Sequence, residues 1–217
     1  MTGEKEKFKL KTGRLLEWTK YQTQHSSSVE DKVILRHEMI ALLGVDDPKI
    51  LDVYAGPGTM WDKAYGRTKN YLGLDKEMFK DERRMIVCDN ARYLRNCSTL
   101  DSFDVFDLDA YGSPFEPLAI ICDRITWTQK KRIAVFITDG QGGRAAVFSQ
   151  LEDKLLKFVG MNRHQGTNVQ FKNRDNIIAS AIVKCAEIAG AKIIKTVCYG
   201  KTAPPQMRYI GFVLEKY

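Results

Sequence analysis

The most constraining feature of this chain is the way it ends. Two strand-like runs, AKIIKTVCY (191–199) and MRYIGFVLE (207–215), are separated only by GKTAPPQ. A parallel crossover needs roughly a dozen residues or more, so this pair is expected to be antiparallel. Upstream, five short apolar runs alternate with helix-length segments: KILDVYA (49–55), YLGLD (71–75), RMIVCD (84–89), FDVFDLD (103–109) and RIAVFIT (132–138). Their near-continuous Val, Ile, Leu and Phe content is that of strands buried on both faces, as in a parallel sheet covered by helices. Five such strands closed by an antiparallel pair form a specific α/β topology, different from the ending of a generic dinucleotide fold.

The flanking segments fit this plan. A helix capped by Ser28 or Asp31 runs through VILRHEMIALLG to a stop at Gly44, and Asp46-Asp47-Pro48 is a turn. Helices are expected over 115–129, Arg144–Val159 and Asp175–Ala189, the last with Ile177, Ile178, Ala181, Ile182, Cys185 and Ile188 at helical spacing. Residues 1–30, Lys-rich with Phe8, Trp18 and Tyr21, read as a basic N-terminal extension to a single domain over 31–217. With 44% hydrophobic residues the chain is too apolar for disorder. No apolar run approaches the ~20 residues of a membrane helix. MTGEKEKFKLK lacks the apolar core of a secretion signal, so a cytoplasmic location is expected. The five cysteines (Cys88, Cys97, Cys122, Cys185, Cys198) are dispersed without a CxxC pair, which indicates free thiols and neither a disulfide framework nor a metal site.

Polar residues gather where the apolar runs end. Asp52-Val53-Tyr54-Ala55-Gly56-Pro57-Gly58-Thr59 follows the first strand, and its glycines allow a tight turn and close approach of a ligand to the backbone. Trp61 stands where a GxGxxG motif has its third glycine, which weakens a pyrophosphate reading; a plain Gly-Pro-Gly turn is the bland alternative. Asp75, followed by Lys76, ends the second strand, where a carboxylate can accept ribose hydroxyls or simply cap a helix. Cys88-Asp89-Asn90-Ala91 ends the third and suits an adenine edge, or again a cap. Asp107-Leu108-Asp109-Ala110-Tyr111-Gly112-Ser113-Pro114 ends the fourth. Ligands in open α/β sheets bind at the carboxyl ends of strands, so the order of these segments carries more than any one of them.

In that order, DVYAGPGT, GLD and CDNA resemble motifs I, II and III of the class I S-adenosylmethionine-dependent methyltransferases. The resemblance covers residues 31–217 and implies a Rossmann-like, seven-stranded, mostly parallel sheet ordered 3-2-1-4-5-7-6, with helices on both faces. It implies S-adenosylmethionine as cofactor. Asp52, Tyr54, Ala55, Gly56, Pro57 and Gly58 would form the loop at the methionine part, Asp75 with Lys76 the ribose site, and Asp89, Asn90 and Ala91 the adenine site, with Asp107 also on the cofactor. DLDAYGSP resembles the (D/N/S)-P-P-(Y/F) motif of amino-group methyltransferases, and more closely the DxDPxGSP segment of tRNA guanine-26 N2-dimethyltransferases. Carried over, Asp109 and the Ala110 carbonyl accept hydrogens from an exocyclic amine, Tyr111 stacks on the base, and Gly112 completes the turn. Ala110 departs from the family proline, which would stiffen the turn. The resemblance does not extend to the C-terminal domain of those tRNA enzymes, which is therefore not expected here.

Charge adds a partner. Residues 37–123, holding all four motifs, carry net −6, and residues 124–174 carry net +7. An acidic half suits a cationic cofactor, and a basic half suits a phosphate-bearing substrate, RNA ahead of DNA. Three alternatives stand beside this reading: a methyltransferase acting on protein or a small molecule, a binding module that has lost catalysis at Ala110, and, more distantly, a nicotinamide-dependent oxidoreductase. His25, His37 and His164 are isolated and read as structural or surface residues. Asp139–Arg144 and the polar stretch Met161–Arg174 are candidates for the substrate mouth, or else plain connectors.

Overall fold

A computed structural model describes residues 3–9, 14–22, 28–110, 112–128, 130–140, 151–161, 173–200 and 207–217. Its strands are β1 (Glu4–Lys9), β2 (Leu15–Gln22), β3 (Ile50–Asp52), β4 (Tyr71–Asp75), β5 (Met85–Val87), β6 (Val105–Leu108), β7 (Arg132–Asp139), β8 (Ala191–Gly200) and β9 (Arg208–Lys216). They form one nine-stranded sheet in the order β1-β2-β8-β9-β7-β6-β3-β4-β5. β3 pairs in parallel with β4 and β6, and β6 with β7, while β9 runs antiparallel to both β7 and β8. The seven C-terminal strands therefore have the expected order, and the final pair is antiparallel as its short connection requires.

The sheet has two strands more than expected. Residues read from sequence as a basic extension supply β1 and β2; β1 pairs antiparallel with β2, and β2 pairs in parallel with β8. Only Phe8, Leu16 and Trp18 of this hairpin are buried hydrophobics, Phe8 lying edge-on to Trp18 at 4.4 Å. The Glu-Lys alternation of β1 is the charged coat of a sheet edge, and such a strand lacks a strong apolar signal.

Both faces of the sheet are covered, and alternation along each strand divides the core. Ile50, Val105, Ala134 and Phe136 pack with Leu35 and Met39 of α1 (Ser28–Ala41). Leu51, Phe106, Val135 and Ile137 pack on the other face. There they meet α3 (Asn90–Asn96), α4 (Phe115–Arg124) and α6 (Arg174–Ile188) through Leu94, Ile121 and Ile178. α2 (Thr59–Lys63) and α5 (Asp153–Phe158) are short. Gly44 and Gly190, with φ of 67° and 62°, end α1 and α6 in the left-handed conformation that favours glycine. The helix expected over 115–129 stops at Arg124; of that expected over Arg144–Val159, residues 151–159 are described, and among them only α5 is helical.

Candidate cofactor and acceptor site

The loop after β3 is stitched into the sheet on both sides. Val53 N–H donates to the Asp107 carbonyl at 2.8 Å, and Ala55 N–H to the Leu74 carbonyl at 3.0 Å. The Gly56 N–H donates to Asp75 Oδ2 at 2.9 Å, so the strand-end carboxylate fixes the glycine loop. Behind the loop lies Arg83, whose Nη1 and Nη2 donate to the carbonyls of Ala55 (3.0 Å) and Gly56 (2.8 Å) while Asp81 holds the guanidinium from the other side. Gly58 has φ +83°, and a Cβ there would stand 2.8 Å from the Arg83 Cζ. Gly58→Ala is therefore expected to combine left-handed strain of about 1–2 kcal/mol with a clash. A thermal melt should fall by roughly 2–8 °C.

Three carboxylates share the ends of β3 and β6. Asp107, expected on the cofactor, is instead sealed inside. Arg36 Nε and Nη2 each donate to one of its oxygens at 2.7 Å, and the Tyr65 hydroxyl donates at 2.5 Å. Asp107 is wholly buried, and its register partner on β3 is Asp52. Asp52 accepts the Tyr71 hydroxyl at 2.8 Å; burial, and then the Asp107 charge, push its pKa up to about 8. Asp109 is the opposite case. Burial works to raise its pKa, but Arg36 and Lys32 outweigh it and hold the carboxyl below its usual range. Lys32 Nζ lies 2.7 Å from both Asp109 oxygens, and Arg36 Nη2 lies 3.6 Å away.

Asp52, Tyr54, Ala55, Gly56, Pro57, Asp109 and Ala110 line one cleft of about 330 Å³, together with Lys32, Thr138 and Tyr209. The Tyr54 hydroxyl donates to the Ser113 carbonyl at 3.4 Å. A separate groove of about 520 Å³ is lined by Val87, Cys88, Asp89, Arg92, Tyr93 and Asn96. Asp89 caps α3, accepting the Arg92 N–H at 2.8 Å, and Lys76 lies 3.9 Å from its carboxylate. Ala91 sits in the first turn of α3. Asn90 is buried: its Nδ2 donates to the Val53 carbonyl, and its Oδ1 has no partner among the described residues. Gly112, two residues after Ala110, is exposed; Tyr111 lies outside the described residues, as do His25, His164 and most of the two candidate mouth segments. His37 Nε2 contacts the Ala64 carbonyl at 2.9 Å, a structural position.

Sequence reasoning thus found the strand-end residues and missed those that other elements bring to them: Lys32, Arg36, Tyr65, Arg83, Thr138 and Tyr209. Among the described residues no group of His, Cys, Asp and Glu has the arrangement of a metal site, and no helix is long and apolar enough to cross a membrane.

No protein-family model matches the chain, and no curated protein matches it. Solved structures do. TYW2 of M. jannaschii, in complex with AdoMet, is 12% identical with a TM-score of 0.52, over 100% of this chain and 90% of that one. A hemolysin candidate of Lactococcus lactis is 14% identical with a TM-score of 0.50, over 88% and 89%. Trm1 of Pyrococcus horikoshii, solved with S-adenosyl-L-methionine, is 15% identical with a TM-score of 0.49, over 87% of this chain and 55% of that one. At such identities the first two likenesses concern the fold, and they agree with the strand order: the chain has the Rossmann-like fold of the class I methyltransferases, its sheet extended by an N-terminal hairpin.

Proposed function

We propose that the protein is an S-adenosylmethionine-dependent methyltransferase that methylates an exocyclic amine of a nucleic-acid base, RNA ahead of DNA. The observation that carries this reading is the convergence, on one cleft, of the glycine loop after β3 and the Asp109–Ala110 segment after β6. The residues present fit the cofactor. The loop from Asp52 to Gly58 would hold the methionine part, Asp75 with Lys76 the ribose, and Asp89, Asn90 and Ala91 the adenine. The orphaned Asn90 Oδ1 is an acceptor of the kind an adenine amino group requires. The AdoMet held by the similar TYW2 structure supports the same choice.

When bound, the cofactor supplies an electrophilic methyl group on a cationic sulfonium. The protein's part is orientation. A base amine delocalises its lone pair into the ring and is a weak nucleophile. Asp109, kept ionised by Arg36 and Lys32, and the Ala110 carbonyl would accept its two hydrogens, aim the lone pair and stabilise the positive charge that grows on nitrogen. Tyr111 would stack on the base, in the manner of the tRNA guanine-26 enzymes that DLDAYGSP resembles. Asp107 serves from behind, as the buried partner of Arg36.

Cofactor affinity should depend on pH through Asp52. A cation in the cleft favours the ionised carboxylate, so binding is expected to strengthen as pH rises toward about 8 and to release a proton. Calorimetry in buffers of different ionisation heat reads that proton, and Asp52→Asn should abolish it. Without cofactor the sign for folding is the reverse: between the ordinary value of 3.8 and about 8 the folded state binds the extra proton. That stabilisation is complete at low pH and is lost as pH rises to about 8.

A second reading, an alkyl-amine acceptor on protein or a small molecule, is favoured by the contact of the Lys32 ammonium with Asp109. Salt separates the two. Substrate binding that falls steeply with ionic strength marks a nucleic acid, and a flat response marks the alternative.

A further inference from the structure

The acceptor end of the cleft already holds an amine. Lys32 places its ammonium 2.7 Å from both oxygens of Asp109 and 5.1 Å from the centroid of the Tyr209 ring. A carboxylate at hydrogen-bonding distance and an aromatic face within about 6 Å are the two elements by which proteins hold cationic amines. Lys32, Asp109 and Tyr209 line the same cleft as the glycine loop. Other lysines form comparable ion pairs outside that cleft. The closest match is Lys130, paired with Asp104 at 2.5 Å, with side-chain exposures of 11% and 13% against 16% and 15% for Lys32 and Asp109. Asp104 lies just before β6 and Asp109 just after it, so the two pairs sit at opposite ends of that strand. What distinguishes Lys32 is its place.

We infer that Lys32 is itself a methyl acceptor and that the protein methylates its own Nζ when no external amine fills the cleft. The inference rests on the proposed function, with Asp109 as the residue that orients the accepting amine. The ammonium must first give up a proton to solvent water or hydroxide, while the Asp109 carboxylate stays ionised and holds a remaining N–H so that the lone pair is aimed. The nitrogen lone pair then forms the N–CH3 bond as the S–CH3 bond breaks. The bonding electrons stay on sulfur, giving S-adenosylhomocysteine and a methyl-lysine that regains its positive charge. Secondary and tertiary amines keep the charge but have fewer N–H groups for Asp109, so each added methyl loosens the hold of Lys32 on the cleft. Tyr209 becomes a specificity-determining residue, the aromatic wall against which an accepting amine rests.

The test uses the full chain, S-adenosylmethionine carrying a deuterated methyl group and no other acceptor, with peptide mapping by mass spectrometry. Label at Lys32 at least about tenfold above that at Lys130, lost in Lys32→Arg, is the expected result. Calorimetry on the same sample measures cofactor binding. Binding without excess label at Lys32 overturns this inference and leaves the proposed function standing; no binding overturns both. A readout independent of transfer is cofactor affinity in Lys32→Met. Removing one positive charge from beside a sulfonium should tighten binding about tenfold at low salt. Unchanged or weaker binding contradicts the placement of Lys32 next to the cofactor.

Discussion

Replacing Asp109 with alanine is expected to lower methyl transfer by about 10²–10³-fold while S-adenosylmethionine affinity changes only a few-fold. The large effect follows from position. Asp109 follows β6 in the cleft where the glycine loop also opens, and its carboxyl stays ionised because Arg36 and Lys32 face it. An ionised acceptor strengthens its grip on an amine as charge grows on nitrogen, so its contribution is larger in the transition state than in the bound state. Asp109→Asn, which keeps one acceptor oxygen but no charge, should fall between wild type and alanine. Because the carboxyl titrates below its usual range, Asp109 keeps its charge above that range and loses it only as pH falls through the lowered value. Any loss of activity near neutral pH therefore belongs to another group. Rates under cofactor saturation, with a separate calorimetric dissociation constant, check both halves. Full transfer by Asp109→Ala would remove Asp109 from the mechanism.

The second large effect concerns stability. Arg36→Ala should destabilise the protein by about 3–5 kcal/mol, because it leaves the wholly buried Asp107 without its cation and beside Asp52. For a chain of this size that corresponds to a fall in melting temperature of roughly 6–20 °C. The sign of the pH response is fixed. The buried negative charge left without its cation is the source of the loss, so the variant's deficit is expected to be smaller in acid, where carboxylates are neutral, than at neutral pH. Arg36→Met combined with Asp107→Leu should recover most of the loss, since an apolar pair of similar volume carries no desolvation penalty. Urea melts at two pH values distinguish an unpaired carboxylate from a packing defect, which has no such pH dependence.

These two residues also mark how much of the site is legible in sequence. Asp109 is legible as a strand-end carboxylate because strand, turn and carboxylate are contiguous, and the same holds for Asp52 and Gly56, which line the same cleft. Asp107 looked equivalent from sequence, two residues from Asp109 on a strand where alternate side chains share a face. What separates the pair is Arg36 and Tyr65, which arrive from α1 and the segment after α2 and close over Asp107. No local pattern announces such partners. Arg83 was hidden for the same reason: its role is to bind two carbonyls of a loop 27 and 28 residues upstream.

The fold was legible to the extent that apolar continuity marks it. Buried strands such as β6 and β7 stand out, and the length of the last connection fixes the direction of β9. The hairpin of β1 and β2 was not, because a charged edge strand answers to solvent on most of its surface and buries only Phe8, Leu16 and Trp18 among its hydrophobic side chains, with Tyr21 half-buried against the core. The registry of β2 with β8, from Thr19↔Val197 to Gln22↔Gly200, joins segments far apart in the chain and has no sequence signature of its own.

The most direct test of the proposed activity is nucleoside analysis. Purified protein is incubated with bulk RNA and S-adenosylmethionine labelled in the methyl group, the RNA is digested, and the nucleosides are separated and weighed. Label on the exocyclic nitrogen of a base, absent with Asp109→Ala, is the expected result. Label on a ring carbon, or no transfer to RNA or DNA by protein that binds the cofactor, would contradict an amine-directed nucleic-acid methyltransferase.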